Sequence, residues 1–185
     1  MVYKYPRASQ KTPRPVFQFI KNNLKRTGLV GAEIGVEAGI NALSILNTLG
    51  IEKLYLVDPW CGEYERHYDI VRDGLEQDKR FELIRTTSRK AAQIITEPLD
   101  FCYIDANHKY HAVREDIKLW YPKVKNGGVL GGHDYIMYDK VGKITKCGVV
   151  EAVTEFISEN RFHLHIGYID RCGDWWIVKG DEFLS

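Results

Sequence analysis

Short apolar runs alternate along the chain with stretches in which apolar residues recur every three or four positions. Val16, Phe17, Phe19, Ile20 and Leu24 carry helical spacing, with Pro13 and Pro15 marking the start and Thr27-Gly28 the end. Residues 29–36 predict a buried strand. Ile40, Leu43, Leu46 and Leu49 trace a narrow helical stripe closed by Gly50. Residues 54–57 form a short apolar strand that Asp58-Pro59 stops, and residues 61–80 are polar and aromatic, a loop with one helix. Residues 81–86 alternate as a strand, residues 91–95 fit a short helix, and residues 101–104 are another buried strand. Val113, Ile117 and Trp120 share one face of a helix over 111–121. Asn126-Gly127-Gly128 is a turn that leads into a strand over 129–132. Residues 136–147 lack periodicity and read as a mobile loop. Val149, Val153, Phe156 and Ile157 mark a last helix. Residues 162–169 and 175–178 are two strands whose short link permits only an antiparallel hairpin.

Strands alternating with helices, then a hairpin, predict an α/β fold: three layers around a doubly wound, mostly parallel sheet. Residues 1–15 read as an N-terminal arm and residues 16–185 as a single domain. Ligands of such sheets sit beyond the carboxyl ends of the strands, where the strand order switches. The polar residues at those ends are therefore the candidates for function.

Composition narrows the partners. Of 185 residues, 44% are hydrophobic and 28% charged, with a formal net charge of +1. Neither nucleic acid nor a membrane surface is suggested by that balance. The basic bias of the first helix and arm reads as a solvated face. No two of Cys61, Cys102, Cys147 and Cys172 stand at zinc-site spacing, and Cys102 lies in an apolar run, as in a reducing compartment. The first residues carry no apolar signal segment, and no run reaches membrane-spanning length. The expected location is cytoplasmic. Nothing in the pattern sets an oligomeric state.

Four strand ends carry chemistry. The first is Glu33-Ile34-Gly35-Val36-Glu37-Ala38-Gly39, where two glycines let the backbone turn sharply and approach a ligand. Glu37 and Ile40 stand where a dinucleotide fingerprint needs glycine. An acidic turn suits a cofactor with a sulfonium and an ammonium, which Glu33 is placed to meet; a plain strand-to-helix turn would also use these glycines. The second strand ends at Asp58, a carboxylate able to accept both ribose hydroxyls. Asp105 follows the fourth strand, and His133-Asp134 the fifth. Those carboxylates suit a hard divalent cation such as magnesium, the histidine shifts the preference toward manganese or iron, and convergence without metal would orient a substrate hydroxyl.

The segments EIGVEAG (33–39), LVDPW (56–60), Thr87-Ser88, FCYIDANHKY (101–110), WYP (120–122), NGGVLGGHDY (126–135) and GVVEAVTEF (148–156) resemble, in order and spacing, a class I S-adenosylmethionine-dependent methyltransferase. The similarity is to the small-molecule O-methyltransferase-like group called methyltransferase family 24. It implies a Rossmann-like fold, S-adenosyl-L-methionine as cofactor and a small-molecule acceptor. It also implies that Glu33, Gly35 and Gly39 line the methionine part, that Asp58 binds ribose, and that Ser88 lies beside adenine with Trp60 as an apolar neighbour. Asp105 would face the methyl-transfer cleft. Metal-dependent relatives hold magnesium through acids at the positions of Asp105, His133 and Asp134. His133 and Asn107 both depart from the acids of those relatives.

With Asn107 unable to act as a base, His108 becomes the candidate, since an imidazole titrates near working pH. The expected reaction is methyl transfer to a hydroxyl, served by Asp105, His108 and Asp134, with loop 136–147 closing over the site. The alternative is a module that binds the cofactor but has lost transfer, which Asn107 and His133 would permit. Tyr110, His111, His133 and Tyr135 are weaker cleft candidates. His163 and His165 share one strand face and by themselves make an incomplete metal site. Trp175-Trp176 reads as sheet packing.

Overall fold

A computed structural model of the chain describes residues 13–75, 78–138, 144–145, 148–169 and 172–182. Five strands run parallel: β1 (Leu29–Ile34), β2 (Ile51–Asp58), β3 (Phe81–Arg85), β4 (Leu99–Ile104) and β5 (Val124–Gly132). Their spatial order is β3-β2-β1-β4-β5, so the order reverses between β1 and β4. A short pair, β6 (Met137–Tyr138) and β7 (Ile144–Thr145), touches the sheet where Met137 meets Cys172. β8 (His165–Ile169) and β9 (Cys172–Val178) form the closing hairpin, with β9 antiparallel to β5. This is the doubly wound sheet and hairpin that the hydrophobic pattern predicts.

Helices α1 (Pro15–Leu24), α2 (Ile40–Thr48) and α3 (Glu65–Gly74) cover one face. Helices α4 (Ser88–Ile94), α5 (Tyr110–Trp120) and α6 (Val149–Asn160) cover the other. Every residue of β1 and β4 is buried, as expected of central parallel strands covered on both sides. Period-two alternation then sorts the side chains. Val30, Ala32 and Ile34 join the core under α4, α5 and α6, while Phe101 and Tyr103 join the core under α1 and α2. Glu33 is registered beside Tyr103 and so falls on the α1 side of the sheet, fully buried. Trp175 and Trp176 are both core residues, on opposite faces, and Cys102 is buried as its apolar run predicts.

Several strand ends differ from the sequence pattern by two or three residues, and three further differences have a visible cause. β5 begins at Val124, because the Asn126-Gly127-Gly128 turn is absorbed within the strand. Its register with β4 jumps from Leu99↔Val124 to Phe101↔Val129, and Gly127 takes φ +76° at the excursion. The Gly127 N–H donates to the Lys179 carbonyl at 2.7 Å, and the Lys179 N–H donates to the Gly128 carbonyl at 2.9 Å, so the neighbouring chain satisfies the bulge. α4 starts at Ser88, ahead of the expected residue 91, because Thr87 caps it and accepts from the Lys90 N–H at 3.5 Å. Strand pairing reaches into the expected loop 136–147 through β6 and β7; residues 139–143 and 146–147 of that loop lie outside the described residues, as do residues 1–12 of the arm. Among the described residues no helix is long and apolar enough to cross a membrane.

Candidate active site

A cavity of about 610 Å³ opens where the strand order switches, at the carboxyl ends of β1, β2, β4 and β5. One wall is the turn after β1. Gly35 adopts φ +87° and donates its N–H to the Val57 carbonyl at 2.9 Å. A Cβ there would fall 2.3 Å from the Asp105 carbonyl oxygen, so only glycine lets the turn press against the end of β4. Gly39 at φ +79° then starts α2, with its N–H on the Val36 carbonyl at 2.8 Å.

Asp58 stands against this turn. One carboxylate oxygen accepts the Val36 and Glu37 N–H groups at 2.9 and 3.0 Å, and the other accepts the Trp60 N–H at 2.7 Å. The carboxylate therefore clamps the glycine turn to the end of β2 while forming part of the cavity wall. Trp60 is fully buried, and its indole N–H donates to the Glu37 carbonyl at 2.9 Å. It packs beneath the turn and is not among the residues that line the cavity. The wall at that end is instead Pro59, Cys61 and Tyr64. Ser88 does line the cavity at the N-terminus of α4, and its hydroxyl is already engaged. It donates to Asp116 and accepts the Trp120 indole N–H at 2.8 Å. Burial raises the Asp116 pKa to about 6.

Glu33 lies behind the turn, outside the lining residues, and neither carboxylate oxygen has a hydrogen-bond partner among the described residues. Burial first, and then the nearby Asp105 charge, push its pKa well up, against the pull of Arg14.

At the far end the structure rearranges the expected metal set. Asp105, His133 and Asp134 do not close into one cluster of donors; Asp105, His108 and Asp134 do, with ligand atoms within 4.8 Å of one another. His108 Nε2 lies 3.0 Å from an Asp134 oxygen and 3.5 Å from an Asp105 oxygen. The Asp105 carboxylate, helped by Asp134, raises the His108 pKa against the opposing effect of burial. The backbone also holds this histidine: the Gly148 N–H donates to the His108 carbonyl at 2.8 Å, and a Cβ on Gly148 would fall 2.0 Å from the Tyr110 nitrogen. His133 turns instead toward β9, with Nδ1 3.0 Å from an Asp174 oxygen. A second cluster, His133, Asp134 and Cys172, shares Asp134 with the first. Asp134 itself is buried, with a left-handed backbone at φ 57°. His163 and His165 do not line this cavity; the His165 ring stacks on Trp176 at 5.6 Å.

Arg14 is the cleft residue that the sequence pattern misses. It precedes Pro15 and its carbonyl accepts the first N–H groups of α1, from Phe17 at 3.0 Å and Gln18 at 3.1 Å. Its side chain crosses into the cavity wall. Nε donates to Asn41 Oδ1 at 2.7 Å, and the Asn41 amide donates to Asp105 at 2.9 Å. Nη1 lies 3.0 Å from His133 Nδ1 and 3.3 Å from Asp174. Tyr103 donates to the same Asp174 oxygen at 3.1 Å. Locally, Arg14 reads only as one more basic residue of an arm; its role depends on α1 packing over Tyr103 and Glu33.

The model of a methyltransferase domain, methyltransferase family 24, matches residues 32–135. No curated protein matches significantly. Among solved structures, the fold is similar to that of an rRNA methylase from Streptococcus thermophilus, with TM-score 0.67 and 16% identity over 90% of this chain and 96% of that one. It is similar to an O-methyltransferase from Bacillus cereus in complex with S-adenosylhomocysteine, with TM-score 0.65 and 17% identity over 92% and 83% of the two chains. A precorrin-6y C5,15-methyltransferase from Geobacter metallireducens gives TM-score 0.65 and 12% identity, covering 92% of each. At these identities the structures speak for the fold, and two different methyl acceptors, rRNA and precorrin-6y, are named among them. The family match covers more than half of the chain and contains the glycine turn, Asp58, Asp105 and His133-Asp134. The chain thus belongs to methyltransferase domain family 24.

Proposed function

We propose that this protein transfers a methyl group from S-adenosyl-L-methionine to a hydroxyl of a small molecule. The observation that carries the reading is convergence: the glycine turn, its Asp58 clamp and the Asp105–His108–Asp134 cluster all face one cavity. The adenosyl end would lie between Asp58, Pro59, Tyr64 and Ser88, and the methionine end along Gly35 and Asn41 toward Asp105. S-adenosylhomocysteine, the product of such a transfer, is the ligand of the Bacillus cereus structure, which supports the choice of cofactor.

Methyl transfer from a sulfonium is an in-line displacement. The acceptor oxygen forms the new C–O bond, the electrons of the S–C bond return to sulfur, and the hydroxyl proton goes to a base. His108 fits that role: the residue lines the cavity, and its Nε2 lies against two carboxylates that stabilise the imidazolium that forms. Asp105 and Asp134 fix the ring and offer an acceptor for the incoming hydroxyl. The protein's larger contribution is alignment of oxygen, methyl and sulfur. The same three residues fit a divalent ion, with oxygen and nitrogen donors on one side of an open cavity; such an ion would lower the pKa of the acceptor hydroxyl. His108 Nε2 can hold the proton or the ion, not both.

Methyl release from labelled cofactor over a panel of phenols, sugars and hydroxy acids, with and without chelator, separates these roles. Turnover that survives chelation and falls about 10²-fold or more in His108→Gln supports the base. Turnover lost on chelation reassigns the trio to an ion. Tight S-adenosylhomocysteine binding with no turnover on any acceptor would make the chain a cofactor-binding module.

A further inference from the structure

We infer that Arg14 is the receptor for the cofactor's carboxylate, an inference that rests on the cofactor reading above. S-adenosylmethionine carries an ammonium and a carboxylate at its amino acid end. The cavity is well supplied for the first: Asp58, Asp105 and Asp134 line it, and Glu33 lies behind its wall. For the second, Arg14 is the only arginine or lysine among the described lining residues. An amino acid end placed against so many acids, with no fixed cation beside it, would pay for its carboxylate in repulsion.

The strand pairing explains why the cation stands there. Glu33 on β1, Tyr103 on β4 and Asp174 on β9 all belong to the face that α1 covers. The N-terminus of α1 ends above this row, so Arg14 is held from below by Asp174 and from the side by Asn41. Asn41 lies in the first turn of α2, directly after the glycine turn, and its amide reaches Asp105. The guanidinium is therefore fixed between the glycine turn and the methyl-transfer end, where the methionine chain must pass. Its hydrogen bonds use Nε and Nη1; Nη2 has no hydrogen-bond partner among the described residues. The two N–H groups of Nη2 can give a carboxylate charge-assisted hydrogen bonds. His133, with Nδ1 3.0 Å from the Asp174 oxygen that pairs with Arg14, helps hold that carboxylate under the guanidinium.

Calorimetry with two ligands tests this: S-adenosylhomocysteine, and its decarboxylated analogue, which keeps the nucleoside, the sulfur and the amine. Wild-type protein is expected to bind the first at least about tenfold more tightly, the usual scale for a charge-assisted pair. Arg14→Met is expected to bind both within about twofold of each other, and Arg14→Lys to retain part of the preference as a point charge. Because each variant is compared with itself on two ligands, general damage to the site cancels. An Arg14→Met variant that keeps the wild-type preference, or a wild type that binds the two ligands equally, would overturn the assignment. A wild type that binds the nucleoside 5′-methylthioadenosine but prefers neither longer ligand rejects the Arg14 role alone. Failure to bind any of the three rejects the cofactor reading beneath it.

Discussion

His108 shows what three side chains can do to one proton. With carboxylates of Asp105 and Asp134 at 3.5 and 3.0 Å, the imidazolium is favoured and its pKa lies above the usual histidine value. As a base the ring must be neutral, so it works only above that raised pKa, and the acid limb of the rate profile is displaced upward accordingly. In metal-free protein, the NMR titration of the His108 ring is expected to have its midpoint above 6.5, and Asp134→Asn is expected to bring it down. An unchanged midpoint in that variant would remove Asp134 from the role given to it. The residue type and its place after Asp105 are visible in the chain. That His108, and not His133, reaches both aspartates depends on Asp174, which lies far away in sequence and holds the His133 ring by Nδ1, leaving Nε2 3.6 Å from Asp134.

At the scale of an element, the pairing of α4 with α5 has an ionisable group at its centre. Asp116 is 6% exposed, takes a hydrogen bond from Ser88 at the start of α4, and has its pKa raised to about 6 by burial. The folded-state value lies above the unfolded one, so the protonated acid favours folding. Its contribution is fully present below the unfolded value of 3.8 and is lost as the pH rises through about 6. Asp116→Asn keeps an acceptor for Ser88 and removes the titration. Between pH 4.5 and 7.5 the variant is expected to gain about 2 kcal/mol on the wild type in urea unfolding. Parallel stability curves would show that Asp116 stays ionised. The helix face itself was legible from Val113, Ile117 and Trp120. The buried carboxylate on its neighbouring position was not, since a polar residue inside a helix pattern reads as solvent-facing until another helix covers it.

For the whole molecule, the cofactor cavity couples ligand binding to folding. A ligand that binds only the native state at about 100 times its Kd adds about 2.7 kcal/mol, or roughly 5–10 °C of melting temperature for a chain this size. S-adenosylhomocysteine is expected to give such a shift and NAD none, because Glu37 and Ile40 replace the glycines that a pyrophosphate turn requires. An equal shift with NAD would contradict the assignment of the cavity. The alternation of apolar runs and amphipathic stretches was enough by itself to set the layered α/β fold, the parallel order of its elements, the closing hairpin and the strand ends at which acids and glycines gather. These are consequences of periodicity and chain connectivity, which are local. Only tertiary structure decided that Asp58 clamps the glycine turn, that Trp60 goes beneath the cleft, that His108 takes the place expected of His133, and that an arginine of the apparent arm enters the site. Each of those outcomes is a competition for hydrogen bonds and charge among residues distant in sequence, and it is settled where helices pack on strands.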